Sequence, residues 1–482
     1  MRRILEFSLL VAVGVCALAF AGKRADRASA TASSGSDPRL AKAWRFEQGG
    51  WVYVHLEGSP ADIGFQHGAL LAPEIADGLE AVKLNATHST KKDWKFLRDA
   101  GRQMLWPKMD REYQEELQGI VDGLKSKGVA YDLDDVVALN AMEELPDYYT
   151  PWYNAQHKVP GPKIVSPGNC SAFVATGSAT KDGGIVIAHN NWTGYLTGER
   201  WRIVFDLVPA RGHRILMDGY PGVIASDDDF GVNDSGLMVT ETTITQFEGW
   251  DPNGKPEFER ARKALQYAES IDDYVRIMLD GNNGGYANDW LLGDRKTGEI
   301  AQFELGLKRH QLWRTKDGYF VGSNFALDPQ VIAEDTKFDP KDRGSSPNAR
   351  RERWEALMKE SKGKIDVESA RAFLADHVDA FEGRAQANER ALCGHTEVSP
   401  RGVKEWEWGA YYPGGAVQGK AMDSRMAEAM SFVARMGHPC GQDFLAAPFL
   451  KTHPEYSWLS KRLTDMKAGP WTTFKTGQRG PG

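Results

Sequence analysis

The sequence pattern changes from mostly helical to mostly strand-forming near residue 169, and this change constrains the fold more than any other feature of the sequence. Five prolines lie between residues 146 and 167, which predicts a linker. Two apolar runs follow, Cys170–Thr176 and Ile185–His189, and the turn between them ends in Lys181-Asp182-Gly183-Gly184. This pattern predicts a β-hairpin whose first strand starts at Cys170.

Helical and strand patterns occupy different parts of the chain. Apolar residues recur at a helical period over residues 69–145, after a strand pattern at 45–58, and Gly64 and Gly68 between them favour close helix packing. Beyond the hairpin, strand patterns lie at 201–208, 214–217, 238–244, 290–294, 299–304, 311–314 and 319–323, helical ones at 258–279, 350–360 and 367–377, and no regular pattern follows residue 378. Such blocks predict an α+β fold. We expect residues 41–169 to form a mostly helical N-terminal chain that includes the linker, and residues 170–482 a strand-rich chain.

The first forty residues predict export. A basic start and the apolar run Ser8–Ala21, which ends in a small-x-small cleavage pattern, predict a signal peptide over residues 1–21. Residues 22–40, rich in Gly, Ala and Ser towards their start, then form a flexible tether. The expected location is a periplasm, the cell exterior or a lysosome-like lumen. Two alternatives stay open: an uncleaved N-terminal membrane anchor, since basic residues follow the apolar run, and a lipoprotein modified at Cys16.

The net charge and the number of cysteines limit which classes of partner and which cysteine chemistry the chain can have. The net charge of -7, without a basic block, argues against nucleic acid. After signal removal three cysteines remain, and this odd count favours a disulfide between Cys393 and Cys440 with Cys170 free; a buried unpaired pair is the alternative. Cys393 and His395 have a metal-like spacing, but no second pair supports them, so the sequence predicts no metal site.

Cys170 itself has two interpretations. A single cysteine on a strand is usually a small buried hydrophobe. An N-terminal cysteine can instead be a nucleophile, because its own α-amine, with a pKa of about 8, can accept the thiol proton. That chemistry requires a free N-terminus at Cys170, and therefore cleavage of the peptide bond between Asn169 and Cys170.

Motifs around and beyond Cys170 favour the second interpretation, because they resemble the phospholipase B-like family of N-terminal-nucleophile hydrolases. In family order they are Cys170-Ser171-Ala172, Ala188-His189-Asn190-Asn191-Trp192, Arg202-Ile203, Tyr220-Pro221-Gly222-Val223-Ile224, Asp228-Asp229-Phe230, the segment 235–243 and the segment 282–290. The flanking segments 58–68, 321–325 and 345–350, and Cys393-Gly394-His395, resemble the related acyl-coenzyme A:6-aminopenicillanic acid acyltransferase family. Both resemblances imply a four-layer αββα sandwich with Cys170 as the nucleophile.

The resemblances also imply the other site residues. Asn324 would donate to the oxyanion, Arg350 would orient the site, and His189 would tune the thiolate or bind substrate. The structural alternatives are a turn-capping asparagine, a solvated helix-start arginine and a core histidine. The expected substrate-binding residues are Asn190, Asn191, Trp192 and Thr242. Asn191 stands where the acyltransferase pattern has Asp, and a purely structural strand residue is the alternative for Thr242.

These observations predict an exported, self-processing cysteine hydrolase that cleaves an acyl amide or ester bond without a cofactor. Residues 170–482 would be the catalytic chain, and both chains of the precursor would stay associated. The substrate would be a small-molecule or lipid acyl compound, with peripheral membrane contact as a further expectation. The alternatives are an acyltransferase, an N-acyl amino acid or peptide amidase, and a non-enzymatic scaffold that retains the fold.

Overall fold

The computed structural model describes residues 37–164, 170–228 and 230–481. The predicted signal peptide, residues 22–36 of the predicted tether, Asn169 of the predicted cleavage site and Asp229 lie outside the described residues. Within the described part of the chain, no helix is both long enough and apolar enough to cross a membrane.

Helices make up most of the N-terminal part. Those of the described residues are α1 Pro60–Leu70, α2 Ala72–Thr90, α3 Trp94–Ala100, α4 Arg111–Ser126, α5 Leu133–Asn140, α6 Thr150–His157, α7 Tyr195–Gly198, α8 Glu257–Tyr267, α9 Ile271–Leu279, α10 Pro329–Asp335, α11 Ser346–Glu360, α12 Val367–Leu374, α13 Ser424–Glu428 and α14 Ala446–Thr452. The side chain of Ser59 caps α1, and Gly64 and Gly68 let α1 cross α4 closely. A Cβ atom on Gly64 would lie 2.0 Å from the carbonyl oxygen of Glu116, so the helices could not approach with larger residues there.

The strands form two large sheets and a small one. They are β1 Trp44–Gln48, β2 Trp51–Gly58, β3 Cys170–Thr176, β4 Val186–Gly194, β5 Ile203–Pro209, β6 Ile215–Gly219, β7 Gly231–Asn233, β8 Leu237–Thr243, β9 Asn288–Asp294, β10 Glu299–Leu305, β11 His310–Thr315, β12 Gly318–Gly322, β13 Val378–Asp379, β14 Arg384–Ala385, β15 Gly414–Asp423, β16 Ser431–Met436 and β17 Thr472–Lys475. The nine-stranded sheet has the order β1-β2-β5-β6-β7-β8-β9-β10-β11, the six-stranded sheet β12-β3-β4-β15-β16-β17, and β13 pairs with β14. The predicted α+β class is therefore confirmed.

Apolar residues of both large sheets share one core. Ala172, Val174 and Ile187 of the six-stranded sheet pack with residues such as Val204 and Leu291 of the nine-stranded sheet. A second core joins the other face of the nine-stranded sheet to helices that include α1, α2, α4, α8 and α9. A third joins the other face of the six-stranded sheet to α11 and α12. The hairpin that starts at Cys170 therefore lies within the six-stranded sheet, with one face towards the other sheet and one towards helices.

The predicted linker is shorter than the sequence indicated. A π-helical turn at Leu145–Tyr149 and helix α6 occupy its first half. Pro146 and Pro151 stand in the first turns of these elements, where a residue without an N–H is tolerated because that group has no helical partner. The prolines therefore start helical turns here and do not break them.

Candidate active site

Cys170 is fully buried at the first residue of β3, where the hairpin pattern predicts that the strand starts. It pairs with Asn191 on β4, and Ala172 pairs with His189. Because side chains alternate along a strand, Cys170, His189 and Asn191 share the face of the hairpin that points towards the nine-stranded sheet. The hairpin thus brings three of the predicted residues together.

Glu241 on β8 supplies a carboxylate that sequence reasoning did not single out. The Cys170 thiol donates to its Oε1 across 3.4 Å. The Tyr286 hydroxyl donates to the same oxygen across 3.2 Å, and Asn288, with its amide nitrogen turned towards Oε2, donates across 2.8 Å. A carboxylate among the β-branched residues of a fully buried strand is a signal that could have identified it. The acid is held in place and faces the sulfur.

The thiol is kept in its neutral form. Burial raises the pKa of Cys170 well above its ordinary value, and the Glu241 and Asp228 carboxylates raise it further. The backbone amide of Trp192 and the ammonium of Lys420 oppose this rise in pKa without reversing it. Since the thiolate is the nucleophile, Cys170 needs a base before it can react.

His189 lies beside the thiol and has no hydrogen-bond partner among the described residues. One ligand atom each from Cys170, His189 and Glu241 lies within 4.8 Å of the other two. Burial, together with Lys420, lowers the pKa of His189 well below its ordinary value, although Asp228, 3.9 Å from Nδ1, acts in the opposite direction. The imidazole is therefore neutral at physiological pH.

A buried ion-pair cluster closes the site behind His189, and the sequence did not predict it. Lys420 on β15 forms ion pairs with Asp218, at 2.6 Å, and with Asp228. The Ser226 hydroxyl lies within hydrogen-bond distance of both carboxylates. Burial and the neighbouring Asp228 raise the pKa of Asp218, whereas Lys420 and His189 outweigh burial and lower the pKa of Asp228. The cluster therefore holds a fixed charge pattern at the base of the site.

Arg350 and Asn324 meet Cys170 although they are far away in the sequence. Nη1 of Arg350 donates to the carbonyl oxygen of Cys170 across 2.7 Å, and Nη2 donates to Oδ1 of Asn324 across 2.7 Å. The guanidinium lies over the ring of Trp192, 4.3 Å from its centroid, and near Trp406. Burial lowers the pKa of Arg350 to about 9, so it is charged at neutral pH. The alternative of a solvated helix-start arginine is wrong, because the side chain is fully buried.

Asn324 uses one of its two amide N–H groups to fix its own position. Its Nδ2 donates to the carbonyl oxygen of Thr243 across 2.9 Å, and its backbone has a φ of 69°. This bond links β8 to the segment after β12, and the second N–H of the same amide is the donor that an oxyanion could receive. The predicted role therefore stays a prediction.

The four predicted substrate-binding residues divide between two environments. Asn190 donates to the carbonyl oxygens of Leu374 and Leu392, and Trp192 also donates to Leu392. Both side chains lie on the face of β4 opposite Cys170, and their substrate-binding role stays a prediction. Asn191 faces the site, and Thr242 packs under Gly322, where a Cβ atom would lie 2.4 Å from the threonine hydroxyl.

A cavity of about 660 Å³ lies next to this group. Trp406, which contacts Arg350, and Thr193, which follows Asn191 and Trp192 on β4, form part of its wall. Glu143 of the same wall has a pKa raised by burial to about 7. The pKa of Tyr286 is raised by burial and by the charges of Glu241, Cys170 and Glu143. Tyr286 therefore lies near both the Cys170 thiol and Glu143 of the cavity wall. The rest of the lining mixes aromatic residues with charges of both signs, among them Trp408, Tyr412, Tyr456, Trp458, Lys91, Lys163, Asp147, Glu407 and Glu455.

The predicted disulfide between Cys393 and Cys440 is not formed. Both are free thiols, and both sulfur atoms lie 3.5 Å from Nε2 of His395. Both sulfur atoms face the same nitrogen of His395, which also lies 3.2 Å from Nε2 of His377. The group Cys393, His395, His377 and Cys440 is a second cluster of potential ligands.

Comparison with known proteins gives a consistent result. Residues 82–314 match the family model described as phospholipase B. The chain is 29% identical over 261 residues to an uncharacterized protein of Archaeoglobus fulgidus, covering 51% of this chain and 42% of that protein. It is 26% identical over 281 residues to the putative phospholipase B-like 3 of Caenorhabditis elegans, covering 51% and 47%. To the human putative phospholipase B-like 2 it is 31% identical over 147 residues, covering 27% and 24%. The matched part thus spans less than half of each relative's length.

Proposed function

Because residues 82–314 match the phospholipase B family model, we propose that this protein is a hydrolase of that family that cleaves an acyl amide or ester bond with Cys170 as its nucleophile. The observation that carries the proposal is the approach of the Cys170 sulfur to within 3.4 Å of a buried carboxylate of Glu241, at the first residue of a strand. The facing sheets with helices on their outer sides support an αββα sandwich of the N-terminal-nucleophile type.

In this proposal the chain first cleaves itself. The Cys170 sulfur attacks the carbonyl carbon of Asn169, the peptide C–N bond breaks, and the Cys170 nitrogen leaves with the thiol proton as an amine. Water then hydrolyses the thioester, which releases the Asn169 carboxylate and regenerates the thiol. Arg350 holds the carbonyl of Cys170, so it positions the nucleophile's backbone during this step.

Turnover uses the new α-amine as the base. The amine accepts the thiol proton, the thiolate attacks the acyl carbonyl carbon, and the ammonium returns the proton to the departing amine or alcohol. Water then hydrolyses the acyl-cysteine. Glu241 stabilises the α-ammonium beside the sulfur, because a buried cation requires an opposite charge. His189, which is neutral, is a hydrogen-bond partner for the substrate.

The cavity supports an acyl substrate in this proposal. An acyl chain would lie on the aromatic residues of the cavity wall, and its carbonyl would reach the sulfur past Thr193. Amides are a specific second candidate beside esters, since the proposed self-cleavage is itself the cleavage of an amide. Export and peripheral membrane contact belong to the same proposal, as the predicted signal peptide and an acyl lipid substrate would require them.

One experiment tests the nucleophile and the maturation together. We expect the purified full-length chain to give two fragments on a denaturing gel, with Cys170 as the new N-terminus by end sequencing. Cys170→Ala should stay intact and should release no acid from either lysophospholipids or N-acyl amino acids. An intact wild-type chain that is fully active would contradict the maturation mechanism, and an active Cys170→Ala variant would contradict the nucleophile.

A further inference from the structure

Four side chains converge at one point on the side of β4 that faces away from Cys170. His377 follows α12, Cys393 and His395 lie in the loop before β15, and Cys440 follows β16. One ligand atom of each residue lies within 4.8 Å of those of the other three. The cluster therefore gathers three separate segments of the chain.

The distances fit a tetrahedral zinc ion. Zinc binds nitrogen at about 2.05 Å and sulfur at about 2.3 Å, so in a tetrahedron two nitrogens lie about 3.3 Å apart and a nitrogen and a sulfur about 3.6 Å apart. Nε2 of His377 lies 3.2 Å from Nε2 of His395, and each sulfur lies 3.5 Å from the same His395 nitrogen. The three spacings to Nε2 of His395 therefore match those that a zinc ion would impose.

The ring nitrogen of His395 that points away from the cluster is hydrogen-bonded to a carboxylate, as is typical of metal-binding histidines. Nδ1 of His395 lies 3.0 Å from Oε1 of Glu397, and the other oxygen of Glu397 accepts from the Tyr195 hydroxyl across 2.6 Å. A carboxylate on Nδ1 fixes the tautomer in which Nε2 offers its lone pair to a metal. Cys393 and His395 are buried, whereas His377 and Cys440 are half-buried, which leaves an entry path for an ion.

We propose that His377, Cys393, His395 and Cys440 bind one structural Zn²⁺ ion. Binding forms two Zn–N and two Zn–S bonds and releases one proton from each thiol to solvent, and the resulting dithiolate site is electrically neutral. Four protein ligands leave no open coordination position, so the ion has no direct role in the chemistry at Cys170.

The zinc site would stabilise the hairpin of β3 and β4 from the face opposite Cys170. The carbonyl of Leu392, next to Cys393, accepts hydrogen bonds from Asn190 and Trp192 on β4. A Cβ atom on Gly394 would lie 2.0 Å from the ring of Trp192, so the loop packs directly on that ring. Zinc would thus hold the loop against the strand that pairs with Cys170.

The test is metal analysis of the full-length protein, purified from zinc-supplemented cells and dialysed. We expect about one zinc per chain by mass spectrometry of the elements, and a thiolate-to-metal charge-transfer band after replacement by Co²⁺. The double variant Cys393→Ser/Cys440→Ser and the milder His377→Ala should lose the zinc. The matched control Cys170→Ala should keep it, which separates this site from the group around His189 and Glu241.

Zinc release from the wild-type chain provides a second measurement that does not depend on the folding of a variant. A thiol-modifying mercurial should free one zinc per chain, detected by a metallochromic indicator, while Cys170→Ala gives the same yield. A wild-type chain with far less than one zinc, or an intact mass lower by two hydrogens with a cross-linked Cys393–Cys440 peptide, would overturn the proposal in favour of free thiols or a disulfide.

Discussion

At the scale of single residues, the site is built from groups that are costly to bury and are therefore held by several partners. Glu241 contacts a thiol, a phenol and an amide, and Arg350 joins the carbonyl of Cys170 to Asn324. Buried polar groups of this kind specify one arrangement only when every member is satisfied. Small changes at these two residues should therefore have large and different consequences.

Glu241→Gln should slow turnover by about 100-fold or more, because a neutral amide cannot stabilise an α-ammonium beside the sulfur. The measurement is the rate of acyl release by the processed protein, with the two fragments on a gel as the check that processing has occurred. Asp289→Asn is the matched control, since Asp289 is equally buried on the neighbouring strand but bonds to Gln302. Equal rates in the Glu241 variant and the wild type would remove Glu241 from the mechanism.

Arg350→Met should lower the free energy of unfolding by about 3 kcal/mol, because the carbonyl of Cys170 and Oδ1 of Asn324 would each be left without their donor. Urea unfolding monitored by circular dichroism measures this change. Arg351→Met, one position along α11, keeps both donors and is the control. A variant as stable as the wild type would show that these two hydrogen bonds contribute nothing to folding.

At the scale of elements, local sequence patterns predicted the strands near Cys170. They missed a strand whose position depends on contacts with residues far away in the sequence. The pattern over residues 170–189 predicted that β3 pairs with β4, whereas the register that puts Cys170, His189 and Asn191 on one face is seen only in the structure. Strand β15 was missed, because Gly414, Gly415 and Gly419 give it a low strand propensity. Its place between β4 and β16, and the pairing of Lys420 with Asp218 and Asp228, depend on residues about 200 positions away. For the same reason no local signal could place Glu241 against the sulfur.

The contact between α1 and the loop after β6 should be sensitive to pH. Nε2 of His67 accepts from the backbone N–H of Gly222 across 2.9 Å, and burial lowers the pKa of His67 to about 3. The unfolded chain takes up a proton on this histidine below about pH 6.5, which the folded chain does not, so this contribution to stability is lost as the pH falls. His67→Gln removes that proton uptake. Urea unfolding measured at a series of pH values gives the difference in the free energy of unfolding between wild type and variant. This difference should shrink by about 1.4 kcal/mol per pH unit below pH 6. A constant gap from pH 7 to pH 4 would mean that His67 is protonated in the folded state.

At the scale of the whole molecule, cleavage before Cys170 would leave two chains that share one sheet. Strand β2 of the N-terminal part pairs in parallel with β5 of the C-terminal part through seven residue pairs, from Val52 with Ile203 to Gly58 with Pro209. Helices of the N-terminal part pack in the same core as strands of the C-terminal part. Neither part can bury its apolar surface alone, so the fragments should separate only when both unfold.

This dependence gives a prediction that distinguishes the processed protein from its precursor. The processed protein should run as one species by size-exclusion chromatography and separate into two only under denaturing conditions. Its thermal midpoint should rise with protein concentration, because unfolding releases two chains and the equilibrium then depends on their concentration. The uncleaved Cys170→Ala chain unfolds to a single molecule, so its midpoint should not change over the same range. A processed protein whose midpoint is equally independent of concentration would mean that the fragments stay together after unfolding or that only one of them carries the cooperative structure.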